Sequence, residues 1–295
     1  MELIEELKKI RKLVVIALFS DDYFMNIFVL KGGNALDLAY KLSSRTSVDI
    51  DISMESDFSD DEKEEIKAKL EHLLIQTFYE ENYNVFDFKF LPRPMKPNPD
   101  TGGFWGGYCI EFKIIKRDNY ERHHKNIDSL RRNAMVIGEK QLKVFTIDIS
   151  KYEFCKGKQE ENIDNFTIYV YSPLMFVYEK LRAICQQMEK YREIIPTNRR
   201  PRAKDFFDIY IVINSLDILN DFINPINLDM LNEIFNVKKV PLSFLGEIEG
   251  EREFHRESFN SVRDSIYSHQ EIESYDFYFD YVIKLVRQLE SWWKV

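Results

Sequence analysis

The sequence predicts an α+β fold, in which a mixed sheet with an α/β-like core is followed by a C-terminal helical domain. Segments that alternate like strands occur only up to about residue 171, whereas later apolar residues recur at helical spacing. The change falls at Tyr171, Ser172 and Pro173, where a proline suits the first turn of a helix. We therefore predict one domain over residues 1–172 and a second over residues 173–295.

Composition predicts a folded cytoplasmic protein. The chain has 295 residues, 44% of them hydrophobic, which is enough for a sizeable core. Its apolar runs stay well short of twenty residues, so no membrane span is expected, and the mixed charges at the start do not resemble a signal peptide. The three cysteines are scattered, which suits a reducing compartment and disfavours a metal site built on them.

Local patterns predict the individual elements. Apolar spacing predicts helices over residues 2–18, 35–42, 59–80, 174–190, 203–216, 228–236, 256–268 and 275–293. Apolar runs and alternation predict strands at residues 29–30, 48–52, 83–90, 108–115, 144–149 and 168–171. Prolines and glycines predict a loop over residues 91–107.

Residues 28–53, FVLKGGNALDLAYKLSSRTSVDIDIS, carry the most informative pattern. An apolar run stops at Gly32 and Gly33, a pair suited to a tight turn, and a helix is predicted next. Alternation then places Asp49 and Asp51 on one face of a strand. Two neighbouring carboxylates repel unless a cation lies between them, and Mg²⁺ takes oxygen ligands together with substrate phosphates. The glycine turn would offer backbone N–H groups to those phosphates.

This constellation resembles the nucleotidyltransferase superfamily, which has a glycine turn followed by Asp-x-Asp on the next strand. The fuller pattern, LKGG-x-AL with R-x-S-x-D-x-D behind it, is similar to the AbiEii/AbiGii toxins of bacterial abortive-infection and type IV toxin–antitoxin pairs. The resemblance implies a DNA polymerase β-like nucleotidyltransferase fold, an NTP substrate, Mg²⁺ and a cognate antitoxin. The alternative is an ordinary βαβ turn with an exposed acidic strand end.

A second motif resembles the same family, whose K-L-x-A helix is followed by R-x-[KR]-D-x-x-D. The matches are Lys180, Leu181, Ala183, Arg202, Lys204, Asp205 and Asp208. The resemblance implies that Lys180 neutralises phosphate charge and that Asp205 acts as a base or orients Lys180. Both would then face Asp49 and Asp51 across a cleft between the two domains. Alternatively, Lys180 pairs with an acid of its own helix and Asp205 complements the helix dipole.

The resemblance also implies roles for the first motif. Asp49 and Asp51 would be catalytic and bind Mg²⁺, with Asp148 as a third ligand on a neighbouring strand. Glu111 has a similar local pattern and is the alternative third carboxylate.

Nucleotide binding would fall to the glycine turn and the residues near it. Gly32, Gly33 and Asn34 would cradle the triphosphate, and Ser47 would donate a hydrogen bond to it. Arg45 would contact phosphate or pair with an acid.

An RNA acceptor, with the 3′ end of tRNA favoured by the family resemblance, is the expected partner. The net charge of −9 is an objection, because phosphate contacts need lysine and arginine. Two local segments are nevertheless basic and could contact phosphates. Residues 113–132 contain seven basic and three acidic residues, and residues 190–204 contain six basic and one acidic residue. The alternatives are transfer to a protein or small molecule, and a relative that binds nucleotide without catalysis.

Overall fold

The computed structural model describes residues 2–42, 49–96, 98–137, 142–266 and 272–293. The strands in these ranges are β1 Val29–Lys31, β2 Ile50–Ser53, β3 Tyr83–Arg93, β4 Gly107–Lys116, β5 Phe145–Ser150, β6 Gln159–Ile163 and β7 Phe166–Val170. The α-helices are α1 Glu2–Phe19, α2 Asp22–Ile27, α3 Gly32–Leu38, α4 Lys63–Glu80, α5 Arg117–His123, α6 Ile127–Asn133, α7 Pro173–Cys185, α8 Ala203–Ser215, α9 Leu219–Phe222, α10 Leu228–Asn236, α11 Arg252–Arg256, α12 Phe259–Ser265 and α13 Tyr275–Gln288. No helix in these ranges has the length and apolar character needed to cross a bilayer.

The strands form one mixed sheet in the order β3-β4-β5-β2-β1-β7-β6. The β2–β5 and β1–β7 pairs are parallel, and the other neighbours are antiparallel. This confirms the predicted mixed sheet with helices. The short strand β2 lies between β1 and β5, so side chains from three strands meet around its centre.

Alternation along β2 and β5 separates an apolar face of the sheet from a polar one. Ile50, Ile52 and Ile147 are fully buried, and this side packs against α1 and α4. Asp51 and Asp148, between those isoleucines, point to the opposite face. That face is covered in part by α7, which begins at Pro173 with the Ser172 side chain as its N-cap.

Several element boundaries differ from the sequence prediction for local reasons. Helix α3 begins at Gly32, three residues early, and helix α4 begins at Lys63, after a turn in which the Ser59 and Glu62 side chains are bonded. Strand β3 continues through Pro92 and Arg93 into the predicted loop. Proline is tolerated there because β3 is an edge strand, where its missing N–H is not needed.

Two larger differences concern elements that the sequence prediction missed or made too long. Strand β6 and the short helices α2, α5, α6, α9 and α11 were not predicted, and the helix predicted over residues 256–268 is shorter, as α12. Buried side chains of the sheet and of the later helices form one continuous core. The division into domains at residue 172 stays a prediction.

Candidate active site

The parallel pairing of β2 with β5 sets two carboxylates side by side. Asp51 lies directly opposite Asp148 in the ladder, and Asp49 lies exposed just before β2. Burial raises the pKa of Asp51, an effect that Lys31 and Lys204 oppose and that Asp148 reinforces. Burial and the charge of Asp148 also raise the pKa of Asp49. The three carboxylates therefore repel one another, and a cation between them would relieve that repulsion.

The alternative third carboxylate, Glu111, is placed differently. It lies on β4 opposite Thr146, one strand further from β2 than Asp148. Its carboxylate accepts a hydrogen bond from Lys89 Nζ at 3.1 Å. Of the two candidates, Asp148 is therefore the one that the sheet brings beside Asp51.

The carboxylates fit a metal site that a substrate completes. Within the described ranges, no group of three or more His, Cys, Asp or Glu side chains is close enough to hold a metal ion. Mg²⁺ does not require such a cage, because it is usually held by one or two carboxylates, water and substrate phosphates. Asp51 and Asp148 fit this partial set, and Mg²⁺ binding by Asp49, Asp51 and Asp148 stays a prediction.

The glycine turn is fixed by contact with Asp51. Gly32 has a φ of +71°, in the left-handed region that favours glycine. A Cβ at this position would lie only 2.2 Å from Asp51 Oδ2. Gly32 is thus required both by its conformation and by the close approach of the carboxylate, whereas Gly33 is simply buried next to it.

Asn34 has internal contacts that differ from the predicted phosphate cradle. Its side chain is fully buried, with Nδ2 donating to the Asp49 carbonyl oxygen at 2.6 Å. Its Oδ1 accepts from Arg11 Nη1 at 3.1 Å. Asn34 therefore fastens the start of β2 to α1 and positions Asp49. The other two residues predicted nearby, Arg45 and Ser47, lie outside the described residues.

Lys180 also differs from its predicted role. It is 5% exposed, and its Nζ lies 3.2 Å from Asp205 Oδ1 and 2.8 Å from Asp208 Oδ2. The lysine thus pairs with two acids of α8, and not with one of its own helix. These bonds connect α7 to α8, so direct contact with a phosphate would require a buried ion pair to break.

The Asp205 carboxylate is ion-paired through one oxygen with Lys180 and through the other with Arg202. Burial would raise its pKa, but Arg202, Lys180 and Lys204 outweigh burial and hold the pKa of Asp205 at about 2. A carboxyl group with so low a pKa is a poor general base near neutral pH. Of the two roles left open by the sequence, the contacts of Asp205 favour orienting its cationic neighbours.

The cation that faces the carboxylates from α8 is Lys204. Its charge lowers the pKa of both Asp49 and Asp51, and Lys31 acts on Asp51 in the same way. Lys204 is exposed, whereas Asp205 is buried one residue further along the helix. Lys204 belongs to the same sequence motif as Lys180, the residue for which the resemblance implies the phosphate role.

A cleft of about 480 Å³ joins Asp51 and Asp148 to a group of buried charges. Glu153 lies at its floor, with its carboxylate oxygens 2.8 Å from Arg182 Nη1, 3.5 Å from Lys238 Nζ and 3.6 Å from Lys31 Nζ. Burial lowers the pKa of Lys238 to about 8, although Glu153 acts to raise it. Arg182 Nε is buried and has no hydrogen-bond partner within the part of the chain that the structure describes.

This cluster of Glu153, Lys31, Arg182 and Lys238, the cation floor, was missed by sequence analysis. These four residues lie far apart in sequence, and the distances between them along the chain match no motif. The only available signal was the unusual presence of charged residues between apolar ones, as at Arg182 within α7.

Several cations of the two basic segments are paired with acids. Arg199 binds Glu251 and stacks on the Phe254 ring at 4.0 Å, and Lys190 binds Glu247. In residues 113–132, Lys113 and Arg131 are both bonded to Asp87. Their net positive charge is therefore smaller than the sequence count suggests.

Comparison with known proteins supports the resemblance seen in the motifs. The family model of the nucleotidyl transferase AbiEii toxin, from type IV toxin–antitoxin systems, matches residues 15–281. No curated protein matches the chain in sequence.

Three solved structures are similar over much of their length. A candidate nucleotidyltransferase from H. pylori is 14% identical, with a TM-score of 0.49 over 99% of this chain and 96% of that chain. JHP933 from Helicobacter pylori is 14% identical, with a TM-score of 0.48 over 99% and 93%. An antigenic nucleotidyltransferase-like protein from Paracoccidioides brasiliensis is 17% identical, with a TM-score of 0.36 over 72% and 77%.

The family match includes the glycine turn, both carboxylate strands and helices α7 and α8. It confirms the resemblance that the sequence motifs indicated and the assignment of the chain to a class of enzymes. The chain belongs to the AbiEii nucleotidyl transferase toxin family of type IV toxin–antitoxin systems.

Proposed function

We propose that the protein is a Mg²⁺-dependent enzyme that transfers a nucleoside monophosphate from an NTP to an RNA hydroxyl. The 3′ end of tRNA is the favoured acceptor because of the family resemblance. Transfer would stop bacterial growth, in a toxin–antitoxin or phage abortive-infection system, unless a cognate antitoxin prevents it. The protein would act in the cytoplasm, where nucleotides and RNA are available.

The observation that carries this proposal is the charge distribution of one cleft. Its acidic end contains Asp51 and Asp148. Its cation floor contains three cations that share the Glu153 carboxylate, and Glu179 is bonded to Arg182 as a second acid. Six basic side chains line the described cleft against four acidic ones, so positive charge exceeds negative charge there. Unpaired buried charge is costly, so an excess of buried cations favours an anionic ligand. Among the described residues the buried Arg182 Nε has no hydrogen-bond partner, and a phosphate oxygen that reached it would supply one.

Asp51 and Asp148, side by side in the sheet, would hold Mg²⁺ together with substrate phosphates, and Asp49 would join them once the ion draws the carboxylates together. When bound, the ion would supply positive charge that offsets the carboxylates and the phosphates. The raised pKa values of Asp49 and Asp51 support this fit, because burial and the charge of Asp148 both disfavour the ionised forms that a cation would stabilise. Lys31, Arg182 and Lys238 would bind the β- and γ-phosphates of the NTP, which leave as pyrophosphate. Lys204 would lie on the α8 side of the same site.

The reaction needs one bond formed and one broken. The acceptor hydroxyl oxygen bonds to the α-phosphorus, the bond from that phosphorus to the bridging oxygen breaks, and pyrophosphate leaves with that oxygen. The hydroxyl proton passes to a carboxylate. Asp49 suits this role better than Asp205, because Asp49 is exposed beside the other carboxylates, whereas Asp205 is buried in ion pairs with Lys180 and Arg202.

A second candidate function is transfer to a protein or small molecule. It is favoured by the net charge of −9 and by the ion pairs that engage both basic segments. A purely binding function is less well supported, because Asp49, Asp51 and Asp148 are all present.

The proposal is tested with purified protein, total bacterial RNA, Mg²⁺ and each of the four α-labelled NTPs in turn. We expect label on RNA with one preferred NTP, and growth arrest when the protein is expressed alone. The matched control is Asp51→Asn, which keeps side-chain volume but should give neither result. Label on protein instead of RNA would favour the second candidate, and equal labelling by Asp51→Asn would refute the proposed site.

Lys180 and Lys204 should respond differently to replacement by methionine. Lys204→Met should slow transfer by about 10–100-fold, as expected for a group that acts near the reacting centre, with little change in stability. Lys180→Met should lower the free energy of unfolding by about 3–5 kcal/mol, because Asp205 and Asp208 lose a buried partner. Single-turnover transfer and urea unfolding measure the two effects. Wild-type stability of Lys180→Met, with transfer abolished, would restore the direct phosphate role of Lys180.

A further inference from the structure

The cleft that holds Asp51 and Asp148 shares a wall with a second cleft of about 330 Å³. We infer that this second cleft, here called the base cleft, binds an unpaired nucleotide at the single-stranded end of the RNA acceptor. The inference rests on the proposed function and gives the acceptor a location. The shared wall includes Arg93, Trp105 and Tyr108, so a chain lying in the base cleft leads directly to the carboxylates.

The distance along the sheet suits an acceptor whose last nucleotide reaches the carboxylates. Tyr108 pairs with Ile149 in the β4–β5 ladder, and Ile149 follows Asp148 directly. Lys151, just beyond the end of β5, lines the base cleft. Lys151 follows Asp148 by three residues, so roughly 10 Å of extended chain separates this side of the base cleft from the carboxylate.

Aromatic rings give the base cleft a surface on which a base can stack. The Phe90 and Tyr108 rings stack with centroids 4.6 Å apart and planes 15° apart. Phe90 and Trp105 are half-buried, so part of each ring remains accessible from the cleft. Single-stranded RNA is commonly bound by stacking unpaired bases on aromatic side chains, which every base can do.

The charge of the base cleft suits a phosphate backbone. Lys63, Lys67, Arg93 and Lys151 line it, against Glu64 as the acid among the described lining residues. Lys63 and Lys67 pair with Asp60 and Glu64, whose side chains are 95% and 88% exposed.

Ion pairs as exposed as these contribute little and rearrange easily, so RNA phosphates can compete for the two lysines. The pair between Lys151 and Asp57 is more buried, with side chains 15% and 24% exposed, so Lys63 and Lys67 are the lysines of the base cleft that RNA reaches most readily. The combination of such lysines with aromatic rings is what favours the base cleft over residues 190–204 as the acceptor site.

The test compares four variants with the wild-type protein. Lys67→Glu reverses a charge in the base cleft, and Trp105→Ala removes a stacking surface that Trp105→Phe should restore. Lys12→Glu is the matched control, because Lys12 is a partly exposed, ion-paired lysine that lines a different groove. Binding of a fluorescent single-stranded 12-nucleotide RNA is measured by anisotropy at several salt concentrations, and NTP binding is measured separately by thermal shift.

We expect Trp105→Ala to weaken RNA binding by roughly 5- to 100-fold, the range for loss of base stacking. Lys67→Glu should weaken it and lower the slope of log affinity against log salt by about one or more. Lys12→Glu should bind RNA like the wild type, and NTP binding by Lys67→Glu should not change.

Two outcomes would overturn the inference and are distinguishable from each other. If the wild type labels RNA and both base-cleft variants bind and label it at wild-type levels, the acceptor lies elsewhere and the proposed function stands. If the wild type binds NTP but labels no RNA, the proposed function fails together with the inference.

Discussion

Replacing Asp51 by asparagine should abolish transfer and at the same time make the protein more stable at pH 7. Activity should fall by at least about 100-fold, because even residues that only orient metal ligands cost roughly 10–100-fold when removed. Stability should rise because burial and Asp148 raise the pKa of Asp51, which means that its charge destabilises the folded state. This combination is typical of a residue retained for function at a cost in stability.

The gain in stability expected for Asp51→Asn should depend on pH. An acid whose pKa is higher in the folded state destabilises the protein above its unfolded pKa, about 3.9 for aspartate, and has no effect once both states are protonated. The stability gain of Asp51→Asn should therefore be present at pH 7 and disappear below about pH 4. Thermal unfolding at several pH values measures it.

The controls for Asp51→Asn also separate the two candidates for the third carboxylate. Asp148→Asn should lose transfer as Asp51→Asn does, since the two carboxylates face each other in the ladder. Glu111→Gln should keep transfer, because Glu111 is bonded to Lys89 on the far side of β5. The opposite pattern, with Glu111→Gln inactive and Asp148→Asn active, would show that Glu111 is the third carboxylate.

The glycine turn and the carboxylate strands were predictable because their signals are local. Gly32 requires a positive φ, and alternation along a strand decides which side chains share a face. Asp148 was predicted from the isoleucines on either side of it, and the ladder places it opposite Asp51. A slip of one residue in that ladder would have turned Asp148 to the other face.

What the sequence did not show depends on tertiary contacts. Strand β6, with the sequence QEENI, has almost no apolar pattern, and it forms through backbone pairing with β7. On α8, a rotation of about 100° per residue decides that Asp205 faces α7 while Lys204 is exposed. No spacing rule contains that information, so the phosphate role predicted for Lys180 stays a prediction, and the contacts observed make Lys204 a second candidate for it.

Glu153→Gln should give the largest loss of stability among the substitutions considered for the cleft. The change leaves Lys31, Arg182 and Lys238 without the carboxylate that they share, and breaking a buried ion pair costs about 3–5 kcal/mol. Burial would raise the pKa of Glu153, but Arg182, Lys31 and Lys238 outweigh it and hold that pKa well below its usual range. The carboxylate therefore stabilises the fold above its unfolded pKa, about 4.3, and this contribution is lost as the pH falls towards the folded value.

Urea unfolding at pH 7 and pH 4, with and without inorganic tripolyphosphate, tests this prediction. The difference between wild type and Glu153→Gln should shrink at pH 4, and tripolyphosphate should stabilise the variant more than the wild type, because an anion replaces the missing carboxylate among the cations. Glu160→Gln, at an exposed position on β6, is the matched control and should change stability by no more than about 0.5 kcal/mol. Equal stabilisation of all three proteins by tripolyphosphate would contradict binding at the cation floor. If Glu153→Gln unfolds at the same urea concentration as the wild type, the cations do not depend on Glu153, and the excess of buried positive charge that predicts a phosphate ligand is absent.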